Sequence, residues 1–389
     1  MSKIPKLRFK EFSGDWEEKK LELLCAKISD GIHSTPVYDE NGEYYFVNGN
    51  NLKNSTIILD EKTKRVSKDE YKKHYRELNT NTILMSINGT IGNIAFYNNE
   101  KVMLGKSACY MNINDSLTNK FFISNQLSHN KIQYFYSSEL TGSTIKNLSL
   151  KTIKNTPIKL PSKQEQEKIA SFLTSVDTKI EQLVSKKTLL KEYKKGVMQK
   201  IFNQEIRFKD DDGSDFCDWE EKKLDEIVKR YDNLRVPISS SNRSSGNTPY
   251  YGANGIQDYV QGFTHEGEFI LVAEDGANDL RNYPIKYVNG KIWVNNHAHV
   301  LQAKRDIANN RFLEYSFSKI NIEPFLVGGG RTKLNANIMM KINTLLPCIE
   351  EQIKIANFLS SIDRKIEKTQ KQLKQTKEFK KALLQTMFV

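Results

Sequence analysis

Two segments of the chain carry apolar residues at alternating steps of three and four. In the first, Ile169, Leu173, Val176, Ile180, Leu183, Leu190, Val197 and Ile201 follow this spacing, with Lys187 and Lys194 interrupting the seam. In the second, Ile355, Leu359, Ile362, Ile366, Leu373, Leu383 and Met387 do the same, with Thr369, Thr376 and Lys380 at the intervening seam positions. A sustained heptad spacing predicts long helices, each with a narrow apolar stripe that needs a partner helix to cover it. No proline interrupts either segment. Pro161 and Pro347 stand just ahead of them and set the starts of the predicted helices, the first of which is expected over Lys163–Phe202.

These helical segments are also copies of one another. Glu165 to Phe202 begins EQEKIASFLTSVDTKIEQ and Glu351 to Phe388 begins EQIKIANFLSSIDRKIEK, and nearly half of the gapless aligned positions are identical. A second duplication precedes each variable stretch: LRFKEFSGDWEEKKL from Leu7, and IRFKDDDGSDFCDWEEKKL from Ile206. The order along the chain is therefore variable, shared, variable, shared. It predicts a pseudo-twofold molecule whose common parts form a frame and whose unlike parts do different jobs. The boundaries expected are 1–160 for the first module, 161–204 for the first shared helix, 205–347 for the second module and 348–389 for the second helix.

Inside the variable stretches the pattern changes to short apolar runs bounded by Asn and Gly. Thr82 to Ile87 (TILMSI), Phe269 to Ala273 (FILVA) and Lys291 to Val294 (KIWV) are predicted strands. The fold class expected is α+β: two mixed α/β modules joined by two long helices that form an antiparallel coiled coil. Asn is dense at the strand edges, at Asn48, Asn50, Asn51 and Asn54 in one module and Asn278, Asn282, Asn295 and Asn296 in the other. It is a turn residue, and it can also bond bidentately to adenine.

Charge narrows the reading. A formal net charge of +12 points to a polyanionic partner, because clustered Lys and Arg gain affinity by releasing counterions from phosphate. Cys25, Cys109, Cys217 and Cys348 are dispersed in sequence and suggest neither a zinc ribbon nor a disulfide framework, so a reducing cytoplasm is expected. No stretch approaches the ~20 apolar residues needed to span a bilayer, and no membrane role is expected.

Catalytic motifs are weak. Asn247-Thr248-Pro249-Tyr250 lacks the first proline of a polar-Pro-Pro-aromatic loop that holds a flipped base, and no glycine-rich methyl-donor turn accompanies it. Gly328, Gly329 and Gly330 ahead of Arg331 could cradle a phosphate or simply form a loop. Glu220-Glu221-Lys222 has nuclease-like spacing, but the same EEK recurs at Glu17, Glu18 and Lys19, which favours a structural role. His297 and His299 flank Ala298 and would share a strand face, either as metal ligands or as satisfied polar groups. No phosphate loop for ATP is present. A free-standing DNA-binding protein and an enzyme with an unrecognised site remain alternatives on these residues alone.

The doubled W-E-E-K-K-L and E-Q-x-K-I-A-x-F-L-x-S-x-D-x-K-I segments make the chain resemble the specificity subunits of type I restriction-modification enzymes over almost its whole length. Asp30 to Pro36 (DGIHSTP) and Gly89 to Gly92 (GTIG) in the first module resemble that family's target-recognition loops. So do Asp275 to Asn278 (DGAN) and Trp293 to His299 (WVNNHAH) in the second. The resemblance implies two target recognition domains, each reading half of a bipartite site in double-stranded DNA. It implies that the paired helices separate the domains and dock two modification (methyltransferase) subunits, with restriction subunits joining the complex. The chain itself would hold no cofactor, with S-adenosylmethionine, ATP and Mg on the partner subunits. Base or phosphate contacts are expected at His33, Ser34, Thr35, Asn88, Thr90, Thr144 and Lys146. In the second module they are expected at Tyr250, Asn254, Asn278, Arg281, Asn295, Asn296, His297, Arg331 and Lys333.

Overall fold

The computed structural model describes residues 4–142, 146–329 and 332–389. The chain divides into two compact units, Met1–Val184 with Gln372–Val389, and Ser185–Lys371. The helices Lys163–Phe202 and Ile349–Met387 run for 40 and 39 residues. Each unit thus contains one variable module and one half of each long helix. Among the described residues no helix is long and apolar enough to cross a membrane.

The first unit is built on an antiparallel sheet in the order Cys25–Asp30, Ala108–Ile113, Thr82–Ser86, Ile94–Phe96. Its two central strands are buried along their whole length, which explains why TILMS reads as an unbroken apolar run. One face, with Ile83, Met85, Cys109 and Met111, packs on Phe122, on Ile169 and Leu173 of the first long helix, and on Leu383 and Met387 of the second. The other face, with Leu84, Ala108 and Tyr110, covers Val47, Leu52, Val102 and Leu104.

The second unit carries a six-stranded sheet in the order Val228–Arg230, Ala298–Ala303, His265–Ala273, Ile285–Val294, Ser245–Gly252, Gly255–Val260. Two predicted strands are longer than their apolar runs. FILVA and KIWV are the C-terminal parts of His265–Ala273 and Ile285–Val294, and Asn289-Gly290 lies inside a strand rather than ending it. Gly267 and Gly290 are direct cross-strand partners with φ of +130° and +100°, so the ladder passes through a distortion that residues with a Cβ rarely adopt.

Within each unit the half-helices run in opposite directions. In the first unit Asp177 meets Lys380 at 2.5 Å, while Ile169 and Leu173 near the start of one helix share a core with Leu383 and Met387 near the end of the other. In the second unit Lys194 meets Asp363 at 2.6 Å, while Met198 and Ile201 share a core with Ile355 and Leu359. The two ion pairs join equivalent positions of the sequence repeat with the roles of the helices exchanged. Lys194 therefore does not break the seam; it supplies one partner of an interhelical ion pair.

The duplicated segments build the same joint twice. Both EEKK segments are strands, Glu17–Lys20 and Glu220–Lys223, paired antiparallel with Pro157–Leu160 and Asn343–Leu346, the strands that lead into the long helices. The Arg8 guanidinium forks onto the carboxylate of Glu165 at 2.8 and 2.7 Å, and that of Arg207 onto Glu351 at 3.3 and 2.8 Å. Both carboxylates are buried, at 1% and 0% exposure. Phe9 meets Phe172 edge-on, and Phe208 meets Phe358 the same way. Trp16, Phe122 and Phe388 form a triad with centroids 5.4–6.1 Å apart, matched by Trp219, Phe312 and Phe202.

One difference stands out within this joint. The Trp219 indole N–H donates to Glu351 at 3.1 Å, whereas Trp16 Nε1 is buried without a partner among the described residues. Removing an arginine would leave an ionised carboxylate buried without its counter-charge, a loss that costs about 3–5 kcal/mol. Arg8→Ala and Arg207→Ala are each expected to lower the stability of their own unit by about that amount, measured by denaturant unfolding with hydrogen exchange to locate the loss. A change below about 1 kcal/mol in both variants would refute the anchoring role.

Candidate nucleic-acid interface

In the first unit one edge of the sheet gathers four loops. Ile32 donates to the Leu104 carbonyl and bridges to Gly105, which brings the DGIHSTP loop against the turn at Gly105–Ser107. A Cβ at Gly31 would lie 2.0 Å from the Leu104 oxygen, so only glycine allows this approach. Ile87 donates to Ser107 O, Gly89 to Lys146 O, and Asn88 forms a bridge with Asn147, which also pairs with Thr141. The structure thus brings His33, Ser34, Thr35, Asn88, Thr90 and Lys146 to one loop cluster, all exposed except the half-buried Asn88. His33 Nε2 lies 2.9 Å from Asp30, which fixes the ring at the loop's base. Asn88 Oδ1 is buried and lacks a hydrogen-bond partner among the described residues. Thr144 lies outside the described residues.

The second unit repeats this edge with different side chains. Asp275 bridges to Lys333 and Lys333 to Val327, as Asn88 does to Asn147 and Asn147 to Thr141. Asn254 donates to Gly276 O and accepts from the Asn278 backbone, which ties the ANG turn to the DGAN loop. His297 Nδ1 sits 2.5 Å from Asp275. Asn254, Asn278, Arg281, Asn296 and Lys333 are exposed and His297 is half-buried. Arg331 lies outside the described residues, as does Gly330.

Two expected contacts are placed otherwise. Tyr250 is 1% exposed, with its hydroxyl held by the backbone of Ile238 and its ring under Arg243. Asn295 is buried and accepts from the His297 backbone, with Gln257 3.5 Å away on its amide side. Both shape the loops from within, because their polar atoms are engaged there rather than turned toward a ligand.

Beneath this edge lies a charge network that sequence reading missed. Asp232, Glu274 and His299 place ligand atoms within 4.8 Å of one another, which tests the metal reading of the histidine pair. His299 Nδ1 is 2.7 Å from Asp232 and its Nε2 is 2.8 Å from Leu334 O. Glu274 is bound at one oxygen by Arg235 at 2.6 Å and at the other by Lys333 at 2.8 Å, while Arg230 stands 3.6 Å from Asp232. The donors are spent on protein cations, and His297 belongs to a separate pair, so the cluster is an ion network and, of the two readings open for His297 and His299, satisfied polar groups is the one these contacts support. It holds Arg235 and Lys333 beneath the loops. The equivalent sites in the first unit are Asp30 and Cys109, which are cross-strand partners. That correspondence is invisible in sequence, where CYM and HVL share nothing.

Burial works to raise the carboxyl groups of Asp232 and Glu274. It is outweighed for Asp232 by the His299 bond, the Val300 N–H and Arg235, and for Glu274 by Lys333, Arg235 and His299. Both end below their ordinary values of 3.8 and 4.5. A carboxyl group lowered in the folded state stabilises fully above its unfolded value, and this contribution is lost as pH falls through the folded value. The second unit should therefore lose thermal stability between about pH 5 and pH 3. Glu274→Gln should be less stable at neutral pH and show a flatter slope in that window; an unchanged slope would remove Glu274 from the network.

Fold and interface define a two-module recognition protein built on one repeated frame. The model of the type I restriction modification DNA specificity domain matches residues 13–192 and 217–377, and the chain belongs to this family: it is a DNA specificity subunit of a type I restriction-modification system, non-catalytic itself. It is similar to a type I restriction enzyme specificity subunit of Haemophilus influenzae, at 48% identity over 141 residues, which span 36% of this chain and 36% of that protein. Over 96% of this chain and 93% of the relative it is 24% identical to the MjaX specificity subunit of Methanocaldococcus jannaschii. The crystal structure of the type I system S subunit from M. genitalium shares the fold, with a TM-score of 0.69 and 19% identity over 99% of both chains.

Proposed function

We propose that the chain reads a bipartite duplex DNA target, one half with each unit, and that its long helices dock two modification subunits, which restriction subunits join. On this reading S-adenosylmethionine belongs to the modification subunits, ATP and Mg to the restriction machinery, and the complex works in the cytoplasm. The observation that carries the proposal is the repeated loop edge with unlike side chains. Asn88 and Asn147 in one unit stand where Asp275 and Lys333 stand in the other. An amide N–H can donate to a base acceptor, an acidic side chain can accept from cytosine, and a lysine can meet guanine or phosphate, so two edges of one shape can read two sequences.

His33, Ser34, Thr35, Asn88, Thr90 and Lys146 form the proposed contact set of the first unit. Asn254, Asn278, Arg281, Asn296, His297 and Lys333 form that of the second. Replacing residues 22–160 with the corresponding module of a relative is expected to change one half of the methylated motif and leave the other half as it was. A change in both halves would exclude independent reading. Lys146→Ala should weaken all sequences about equally and reduce the log–log salt slope by about 0.9. Asn88→Ala should instead relax discrimination at one base pair by about 1–3 kcal/mol. Selection of bound sequences at several salt concentrations separates the two outcomes.

A further inference from the structure

A cleft of about 500 Å³ opens in the first unit. Its walls come from the strand Tyr44–Val47, the turn Gly49–Asn51, the hairpin strand Leu52–Lys53 and the loop that follows Ile57. Two aromatic rings line it: Tyr38, 39% exposed, and Phe46, with centroids 5.8 Å apart in an edge-to-face arrangement. Three lysines, Lys53, Lys62 and Lys64, also line it, and none is in an ion pair among the described residues. Lys64 Nζ lies 4.2 Å above the Tyr38 ring. The one carboxylate present, Asp60, is occupied by its own turn, where it accepts from Lys62 N and Thr63 Oγ1.

The cleft floor is set before any ligand arrives. Asn48 accepts from Ser107 Oγ at 2.9 Å, and Gly49 N donates to the same hydroxyl at 2.9 Å. Asn51 accepts from Asn48 N and donates to Ile58 O, which closes the turn on itself. Asn50 is exposed, lines the cleft and makes no side-chain bond among the described residues, so its amide is uncommitted. Ser107 also accepts from Ile87 N through its carbonyl, which joins this floor to the loop edge.

An aromatic platform, an uncommitted amide and three ammonium groups against one carboxylate suit a planar ring attached to an anion. We propose that this cleft binds a single nucleotide: its base stacks on Tyr38 beside Phe46, Asn50 bonds the base edge, and Lys53, Lys62 and Lys64 neutralise the phosphate. The volume lies within the range of small-ligand sites. This is a site for a nucleotide outside the base stack, distinct from reading a paired duplex in its groove. A nucleotide free in solution and one within a DNA strand present the same chemistry of capture.

The test is calorimetric titration of the full chain with 5′-AMP, 5′-GMP, 5′-CMP and 5′-dTMP, with inorganic phosphate as the probe that lacks a ring. Saturable one-to-one binding of at least one nucleotide, roughly tenfold or more tighter than phosphate, is expected. Tyr38→Ala and Lys62→Ala should each weaken it by roughly tenfold, and Lys62→Ala should leave the thermal midpoint unchanged because its side chain is exposed. Competition by single-stranded DNA would identify the ligand as a strand nucleotide, and undisturbed mononucleotide binding beside DNA would identify it as a free one. No saturable binding, affinity equal to that of phosphate, or binding untouched by Tyr38→Ala would overturn the proposal. Failure of groove reading would appear in the module exchange and leave mononucleotide binding intact, so the two ideas fail separately.

Discussion

A carboxylate with almost no access to water begins each long helix, and the arrangement of each unit follows from how that charge is met. Glu165 and Glu351 lie in the first helical turn, where the helix dipole favours an anion, yet burial alone would make either charge costly. The remedy is a forked arginine from a segment far away in sequence, which also donates to carbonyls of its own loop, Gly14 and Ser13 in one case and Cys217 and Phe216 in the other. Helix start and arginine segment can therefore be satisfied only together, with the tryptophan that follows packed beside them. The strands beside this joint lead into the central sheet, and the sheet carries the loop edge.

The frame was legible in the sequence because its residues answer to one another. An arginine that must meet a glutamate, and a lysine that must meet an aspartate across two helices, are held in matched sets. A duplicated frame shows both sets, as with Asp177 and Lys380 against Asp363 and Lys194. The loop phrases were legible for a different reason: the glycines and turn residues in them have backbone tasks, as at Gly31. What could not be read was which loop residue corresponds to which across the modules. Asn147 and Lys333, or Cys109 and His299, occupy matching places in the two ladders while sharing no chemistry. Each is fitted to the neighbours of its own module, Cys109 to a dry strand face and His299 to Asp232 and the Leu334 carbonyl, so nothing in the shared frame keeps them alike. Tyr250 and Asn295 show the converse, since a polar or aromatic residue in a loop can serve the loop itself, and only burial distinguishes that use.

The two units also differ in what supports their loops. Hydrophobic packing dominates under the first edge, where Cys109 is fully buried, its thiol is pushed far up by loss of solvent, and Asp30 pairs with His33 at the loop's base. Under the second lies a network of two carboxylates, a histidine and three cations. Apolar support is insensitive to ionic strength and acid, whereas a charge network is strong only while its carboxylates are ionised and paired. One frame thus bears two recognition surfaces with different physical tolerances.

The unequal tryptophans give each unit its own optical signature. Trp16 is the first unit's single indole among the described residues, dry, wedged against Phe122 and Phe388, and with its N–H unbonded. The indoles of the second unit, Trp219 and Trp293, both donate to oxygen, one to the Glu351 carboxylate and one to the Val236 carbonyl. Emission from an unbonded indole in an apolar surround falls at shorter wavelength than emission from indoles bonded to oxygen. The blue edge of the intrinsic fluorescence therefore follows the first unit and the red side follows the second, so the opening of either can be watched in the unlabelled protein.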